Sequence, residues 1–153
     1  MAKTLAAGIF LVRKDGTLLV CHPTNHKADF WSIPKGKLDD NETALAAAIR
    51  ETFEESNISL IFNEKNLIAL EPVNYSHKKK MLYPFLFLES MSENLDWTQF
   101  DVKCNSNVSI ERGGFPEMDD FKWIPIEEAR PLLHETQAAC LDKIKSFYES
   151  NRN

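Results

Sequence analysis

Residues 50–55, Arg-Glu-Thr-Phe-Glu-Glu, put three carboxylates and one guanidinium within two helical turns. At 3.6 residues per turn, Glu51, Glu54 and Glu55 span about 100° of a helix surface, so they share one side. Acids at this spacing repel one another, and Arg50 can answer only one of them. A solvated acidic face is the commonest origin of such a cluster. The alternative with chemical content is a shared hard divalent cation, which prefers carboxylate oxygens. Lys35 and Gly36 stand a short distance ahead in "IPKGK", placing a cationic side chain and a flexible backbone near the acids.

The element carrying these acids reads as a helix over residues 41–56, with Asp40 or Asn41 as its N-cap. Periodicity places Leu45, Ile49, Thr52, Phe53 and Ser56 on a core-facing side. Ala44, Ala47 and Ala48 fall on the glutamate side, where they predict a cleared, small-residue surface.

The remaining elements must position that helix. Two apolar runs, residues 5–12 and 17–21, flank Asp15-Gly16 and predict a β-hairpin. "HPTNHKAD" reads as a polar loop before the short apolar stretch of residues 30–33, which Pro34 ends. Residues 67–73 and 81–88 read as strands, the second almost continuously apolar and so central. Residues 90–114 are irregular, with "KCNSN" and "RGG" marking loops. "FKWIPI" predicts a last strand and "EEARPLL" a turn or two of helix. Residues 135–149 predict a closing helix with Leu141, Ile144, Phe147 and Tyr148 along one face. The pattern is that of an α/β chain with all 153 residues in one domain.

The totals narrow the function. A formal net charge of −5 disfavours a general nucleic-acid binder. Cys21, Cys104 and Cys140 are sparse and odd in number, which fits a reducing compartment and a cytoplasmic location. The apolar N-terminal run is followed at once by Arg13 and Lys14 and reads as a strand rather than a signal peptide. No apolar run reaches membrane-spanning length.

Gly36, Glu42, Arg50, Glu51, Glu54 and Glu55 together resemble the Nudix box, G-x5-E-x7-R-E-U-x-E-E-x-G-U with U aliphatic. Six such positions would coincide in a chain this long roughly once in a hundred thousand trials at ordinary residue frequencies. Thr52 stands where an aliphatic is usual, and Asn57 where a glycine is usual. Asparagine is the next-best residue for a left-handed C-cap, so the helix can still end there. The hairpin, "WSIPKG", "PEMDDFKW" and "EEA" resemble Nudix domains in the same order, so the likeness covers essentially the whole chain.

The resemblance implies a Nudix-type α/β/α sandwich with a mixed β-sheet. It also implies a metal-dependent hydrolase of a nucleoside diphosphate linked to another moiety, using Mg²⁺ or Mn²⁺. Metal ligands would be Glu51, Glu54, Glu55 and the main-chain carbonyl of Gly36, with Arg50 bracing the glutamates. A further carboxylate, ligand or base, would be Glu117, whose distance from Trp123 resembles that in RNA 5′-pyrophosphohydrolases; Glu111 is the alternative. Lys35 in "PKG" resembles the corresponding loop in hydrolases of diadenosine polyphosphates and is a candidate phosphate clamp. Lys79 or Tyr83 could reach a phosphate or base, and Phe30 or Trp31 could stack on one. His22, His26, His77 and His134 show no ligand-like spacing and receive no role.

The first expectation is cleavage of dinucleoside polyphosphates or related substrates such as ADP-ribose or FAD. RNA 5′-pyrophosphate removal and nucleoside triphosphate pyrophosphatase activity are alternatives. A non-catalytic nucleotide-sensing domain is a further one, which the retention of every box carboxylate disfavours. Assembly is not specified by the sequence, and a monomer and a homodimer both remain open.

Overall fold

The computed structural model describes residues 3–75, 79–92 and 95–151. One mixed sheet is built from β1 (Thr4–Val12), β2 (Thr17–Pro23), β3 (Lys35–Lys37), β4 (Ile68–Ala69), β5 (Val73–Asn74), β6 (Lys80–Leu88) and β7 (Met118–Pro125). The spatial order is β4-β6-β1-β2-β7, with β3 added to β1 and β5 to β6. β1 and β6 are parallel and the other pairs antiparallel. Helix α1 (Ala44–Ser56) covers one face; α2 (Ile126–Ala129), α3 (Glu135–Ala138) and α4 (Leu141–Asn151) complete the chain.

Strand alternation sends successive side chains to opposite faces, and two cores result. Ala7, Ile9, Leu11, Leu19, Cys21 and Phe87 meet Ala47, Ala48 and Ile49 of α1. Phe10, Val12, Leu18, Val20, Leu86 and Leu88 meet Ile126, Ala129, Leu141 and Ile144. This is the expected α/β/α sandwich, with a mixed sheet between helical layers.

The hairpin forms as expected, with Val12 opposite Leu18. Gly16 takes φ +83° in its turn, and Asp15 Oδ1 accepts hydrogen bonds from Thr17 N (3.0 Å) and Oγ1 (2.6 Å). β6 lies inside the sheet, but the strand expected over residues 67–73 is two short pieces, β4 and β5. Pro72 between them has no N–H to donate, and neither has Pro84 on the facing strand, so the ladder is interrupted there.

The closing helix is also divided, into α3 and α4. Gln137, buried in α3, accepts from Ile33 N (3.0 Å) and donates to Ser32 Oγ (3.1 Å), tying that turn to the stretch before β3. β7 starts at Met118, earlier than expected, because residues 118–125 follow β2 as far as Pro23. Among the described residues no helix is long and apolar enough to cross a membrane.

Two expectations about α1 are corrected. Its N-cap is Thr43, whose side chain accepts from Ala46 N, while Asn41 sits at φ +63° outside the helix. The buried face is also rotated in part from the expected one: Ile49, Thr52 and Ser56 are buried and Leu45 packs beside them as expected, but Ala47, Ala48 and Glu55 turn inward too and Phe53 is 45% exposed. The alanines are therefore not a cleared surface beside the acids. They are the contact that lets the helix lie close on the sheet, and they carry Glu55 inward with them. Asn57 ends the helix at φ +66°, with its N–H donating to Phe53 O.

Candidate active site

The rotation of α1 grades its three acids by depth. Glu55 is 3% exposed, while the side chains of Glu51 and Glu54 are 12% and 38% exposed. Glu55 Oε1 accepts from Lys35 N at 3.0 Å, which fixes β3 to the helix. Glu51 rests over Gly36: a Cβ at position 36 would lie 2.1 Å from the Glu51 carboxyl carbon, so no side chain fits there.

Arg50 is the hub of this end of the cleft. Nη1 donates to Glu51 Oε1 (2.8 Å) and Glu54 Oε2 (3.1 Å), Nε donates to Glu42 Oε2 (2.8 Å), and Nη2 donates to Lys37 O (3.0 Å). Glu42 in turn accepts from Asp39 N at 2.9 Å, so the guanidinium ties the loop before α1 to its middle turn. The guanidinium holds the Glu42 carboxyl down at about 2.

Glu55 and Glu51 shift the other way. Burial raises Glu55 to about 8 despite the Lys35 amide. Burial, then repulsion from Glu54, raises Glu51 to about 7 even though Arg50 touches it. Buried carboxylates short of counter-charge are what a bound cation would relieve. Among the described residues no three His, Cys, Asp or Glu side chains converge as a ready metal cage, because Arg50 draws Glu51 and Glu54 to itself. The donor set is nevertheless all oxygen and anionic, and at its buried end the Lys35 charge offsets the burial of Glu55 only in part. That chemistry fits a hard divalent ion such as Mg²⁺ or Mn²⁺.

Glu51, Glu55, Gly36, Lys35 and Glu117 line one cleft of about 620 Å³. Glu117, just ahead of β7, is held by its backbone: its N–H donates to Ser106 O (3.0 Å) and its carbonyl accepts from Thr24 N (2.9 Å). Glu111 is exposed in the turn of residues 110–112 and is not among the residues lining the cleft.

The rest of the cleft was only partly foreseen. Phe30 lines it, stacked on His26 with ring centroids 5.1 Å apart. Lys80 and Tyr75 line it, rather than Lys79 and Tyr83. Lys79 is exposed before β6, and Tyr83 packs into the layer beneath α1, because alternation along β6 turns odd-numbered residues to that face. Trp31 is buried in the other core, so it belongs to the packing. Lys80 Nζ lies 4.8 Å from the Tyr75 ring centroid, and Tyr75 stacks on His134 at 5.1 Å. Thr136 N donates to His134 Nδ1, leaving Nε2 to carry the ring proton. Arg112 also lines the cleft.

Burial, and then the Lys35 charge, lower the Lys80 pKa, and no described carboxylate lies within 4.0 Å of either lysine's Nζ. An aromatic face in place of a carboxylate partner leaves Lys80 available to an anion. No spacing rule announces Tyr75, Lys80, His26, His134 or Arg112. Tyr75 and Lys80 close the β5–β6 connection, and the others come from separate stretches that meet only through the fold. His22 is structural, bridging Asp119 (2.6 Å) and Lys27 O (2.8 Å). His77 lies outside the described residues.

Residues 2–144 match the NUDIX domain family. The RNA pyrophosphohydrolase of Pelagibacter ubique is 26% identical over 82% of this chain and 78% of its own length. An uncharacterized 17.7 kDa protein of Enterobacteria phage T4 is 32% identical over 80% of this chain and 83% of its own. With three further RNA pyrophosphohydrolases the chain spans 63%, 66% and 55% of the relative's length. A Caenorhabditis elegans Ap4A hydrolase has the same fold, with a TM-score of 0.64 and 24% identity over 95% of this chain and 98% of that one. The family match covers nearly the whole chain, and the chain belongs to the Nudix hydrolases.

Proposed function

We propose that this protein is a divalent-metal-dependent pyrophosphohydrolase that cleaves a nucleoside diphosphate joined to another moiety. Dinucleoside polyphosphates, ADP-ribose or FAD are the preferred substrates. The observation carrying this reading is that one cleft is lined both by carboxylates, Glu51, Glu55 and Glu117, and by cationic and aromatic side chains, Lys35, Lys80, Arg112 and Tyr75.

The ligands would be Glu51, Glu54, Glu55 and Glu117 with the Gly36 carbonyl; when bound, the cation neutralises the phosphate oxygens and acidifies a water. Arg50 holds Glu51 and Glu54 at fixed orientation. Lys35 and Lys80 bind the oxygens of the neighbouring phosphoryl group, where two cations offset its charge. Phe30 with His26 gives a flat surface for a base. A water oxygen attacks phosphorus, the bridging P–O bond breaks, and Glu117 takes the proton that the water loses.

A second reading, removal of pyrophosphate from RNA 5′ ends, is supported by the RNA pyrophosphohydrolases among the relatives. A panel containing a dinucleoside tetraphosphate, ADP-ribose, FAD, a nucleoside triphosphate and 5′-triphosphorylated RNA, run with Mg²⁺ and with Mn²⁺, separates the two when products are identified by mass. Fastest cleavage within the first three supports the proposal; fastest cleavage of the RNA replaces it with the second reading.

A further inference from the structure

The last turn of α1 is closed by a strap that comes from far along the chain. Lys103 N donates to Ser56 O (3.2 Å) and Asn105 N to Glu54 O (2.6 Å). The Asn105 side chain adds two bonds, Nδ2 to Phe53 O (3.1 Å) and Nδ2 to Asn57 Oδ1 (2.8 Å). Asn57 returns one, Nδ2 to Asp101 O at 2.8 Å. The carbonyls of Glu54 and Ser56, which the end of a helix leaves without intrahelical donors, are thereby satisfied, and that of Phe53, which already accepts from Asn57 N, gains a second donor.

The next residue of the strap faces the other way. Ser106 O accepts from Glu117 N at 3.0 Å, and Thr24 pins the same stretch through Glu117 O (2.9 Å) and Pro116 O (2.6 Å). Adjacent residues 105 and 106 therefore bond to the backbones of Glu54 and Glu117 respectively. A short covalent link spans the two acidic elements of the cleft. Position 57 matters because the usual glycine has no side chain. It could end the helix at φ +66° at least as readily, but it could bond neither Asn105 nor Asp101.

We infer that Asn57 and Asn105 are positioning residues: their paired amides hold the strap that sets Glu117 opposite the glutamates of α1. This inference rests on the proposed function only for its consequence in turnover; the strap itself can be tested without it. The discriminating variant is Asn57→Gly, which keeps a residue suited to the left-handed cap and removes only the amide. The first readout is hydrogen exchange at the Glu117 amide, whose bond to Ser106 O depends on the strap. Its exchange is expected to quicken about tenfold or more, with the thermal midpoint nearly unchanged.

The second readout is steady-state kinetics on whichever nucleotide the parent cleaves. There kcat is expected to fall about 10-fold with KM within about twofold, as for loss of a residue supporting a ligand. Asn57→Asp keeps an acceptor for Asn105 and is expected to recover most of kcat, which a role confined to helix capping would not require. Asn105→Ala, which leaves the helix cap in place, should reproduce both effects and add little to Asn57→Gly, because the two side chains act as one unit.

Parental Glu117 exchange and parental kcat in Asn57→Gly would overturn the inference. If the parent cleaves no member of the panel, the proposed function fails, and the exchange arm alone then decides the strap.

Discussion

Helices α1 and α4 pack on opposite faces of the same sheet, 13 and 11 residues long. α4 buries Leu141 and Ile144 and leaves Asp142, Lys143, Lys145 and Glu149 exposed. Its neighbouring ion pairs, Arg130 with Asp142 at 2.7 Å and Lys145 with Glu127 at 3.9 Å, are at the surface. α1 instead buries two alanines and a glutamate beside Ile49, and leaves Phe53 out in water. Hydrophobic periodicity describes α4, but in α1 it misplaces Phe53 and Glu55. A helix that serves only packing turns its largest apolar side chains inward. One that must hold charge beside a cleft accepts a buried carboxylate and an exposed phenyl ring.

If that contrast is right, the two helices should answer mutation in different measurements. Glu55→Gln and Glu54→Gln should each fold and lose about 10³-fold in metal-dependent turnover, about 4 kcal/mol of barrier. Full activity in both would remove α1 from the chemistry. Ile144→Ala in α4 should cost about 2–5 kcal/mol in denaturant unfolding, while turnover per folded molecule stays at the parental value. A parallel loss of intrinsic kcat would contradict a purely structural α4. Among the cations of the cleft, Lys80→Met should raise KM about tenfold with a smaller change in kcat. An unchanged KM would exclude Lys80 from substrate contact.

The acid helix should also leave a mark on pH dependence. Glu55 has a folded pKa near 8 against an ordinary 4.5, so the folded state binds more protons than the unfolded between those values. Stability of the metal-free protein must then fall as pH rises through that window. The expected signature is a thermal midpoint lower at pH 8 than at pH 5 by a few degrees or more, with a flatter profile in Glu55→Gln. The smallest effect belongs to Phe53. Replacing this exposed ring by serine should shift stability by under about 0.5 kcal/mol, and a large loss would mean that the ring is covered in solution.

The same contrast explains what the sequence discloses. The hairpin at Asp15-Gly16, the existence of α1 and the left-handed end at Asn57 depend on local propensity, and local sequence carries them. The box residues are legible because their spacing follows the helical period. The rotation of α1 is not, since it is set by how closely alanines allow the helix to approach β1. Nor is the cationic and aromatic part of the cleft lining, where Tyr75 and Lys80 close the β5–β6 connection and Arg112 and His134 come from two other stretches. The two-residue register along β6 decides that Lys80 enters the cleft and Tyr83 does not, and a uniformly apolar strand gives no sign of which face is which.

The account depends on α1 and β3 taking up a divalent cation at the buried end of the cleft. Titration of the protein with Mn²⁺, followed by electron paramagnetic resonance of the free ion, tests this without a substrate. Saturable binding in the parent that weakens at least about tenfold in Glu51→Gln and Glu55→Gln is the predicted result. Equal Mn²⁺ uptake by parent and variants, or none by the parent, would contradict it.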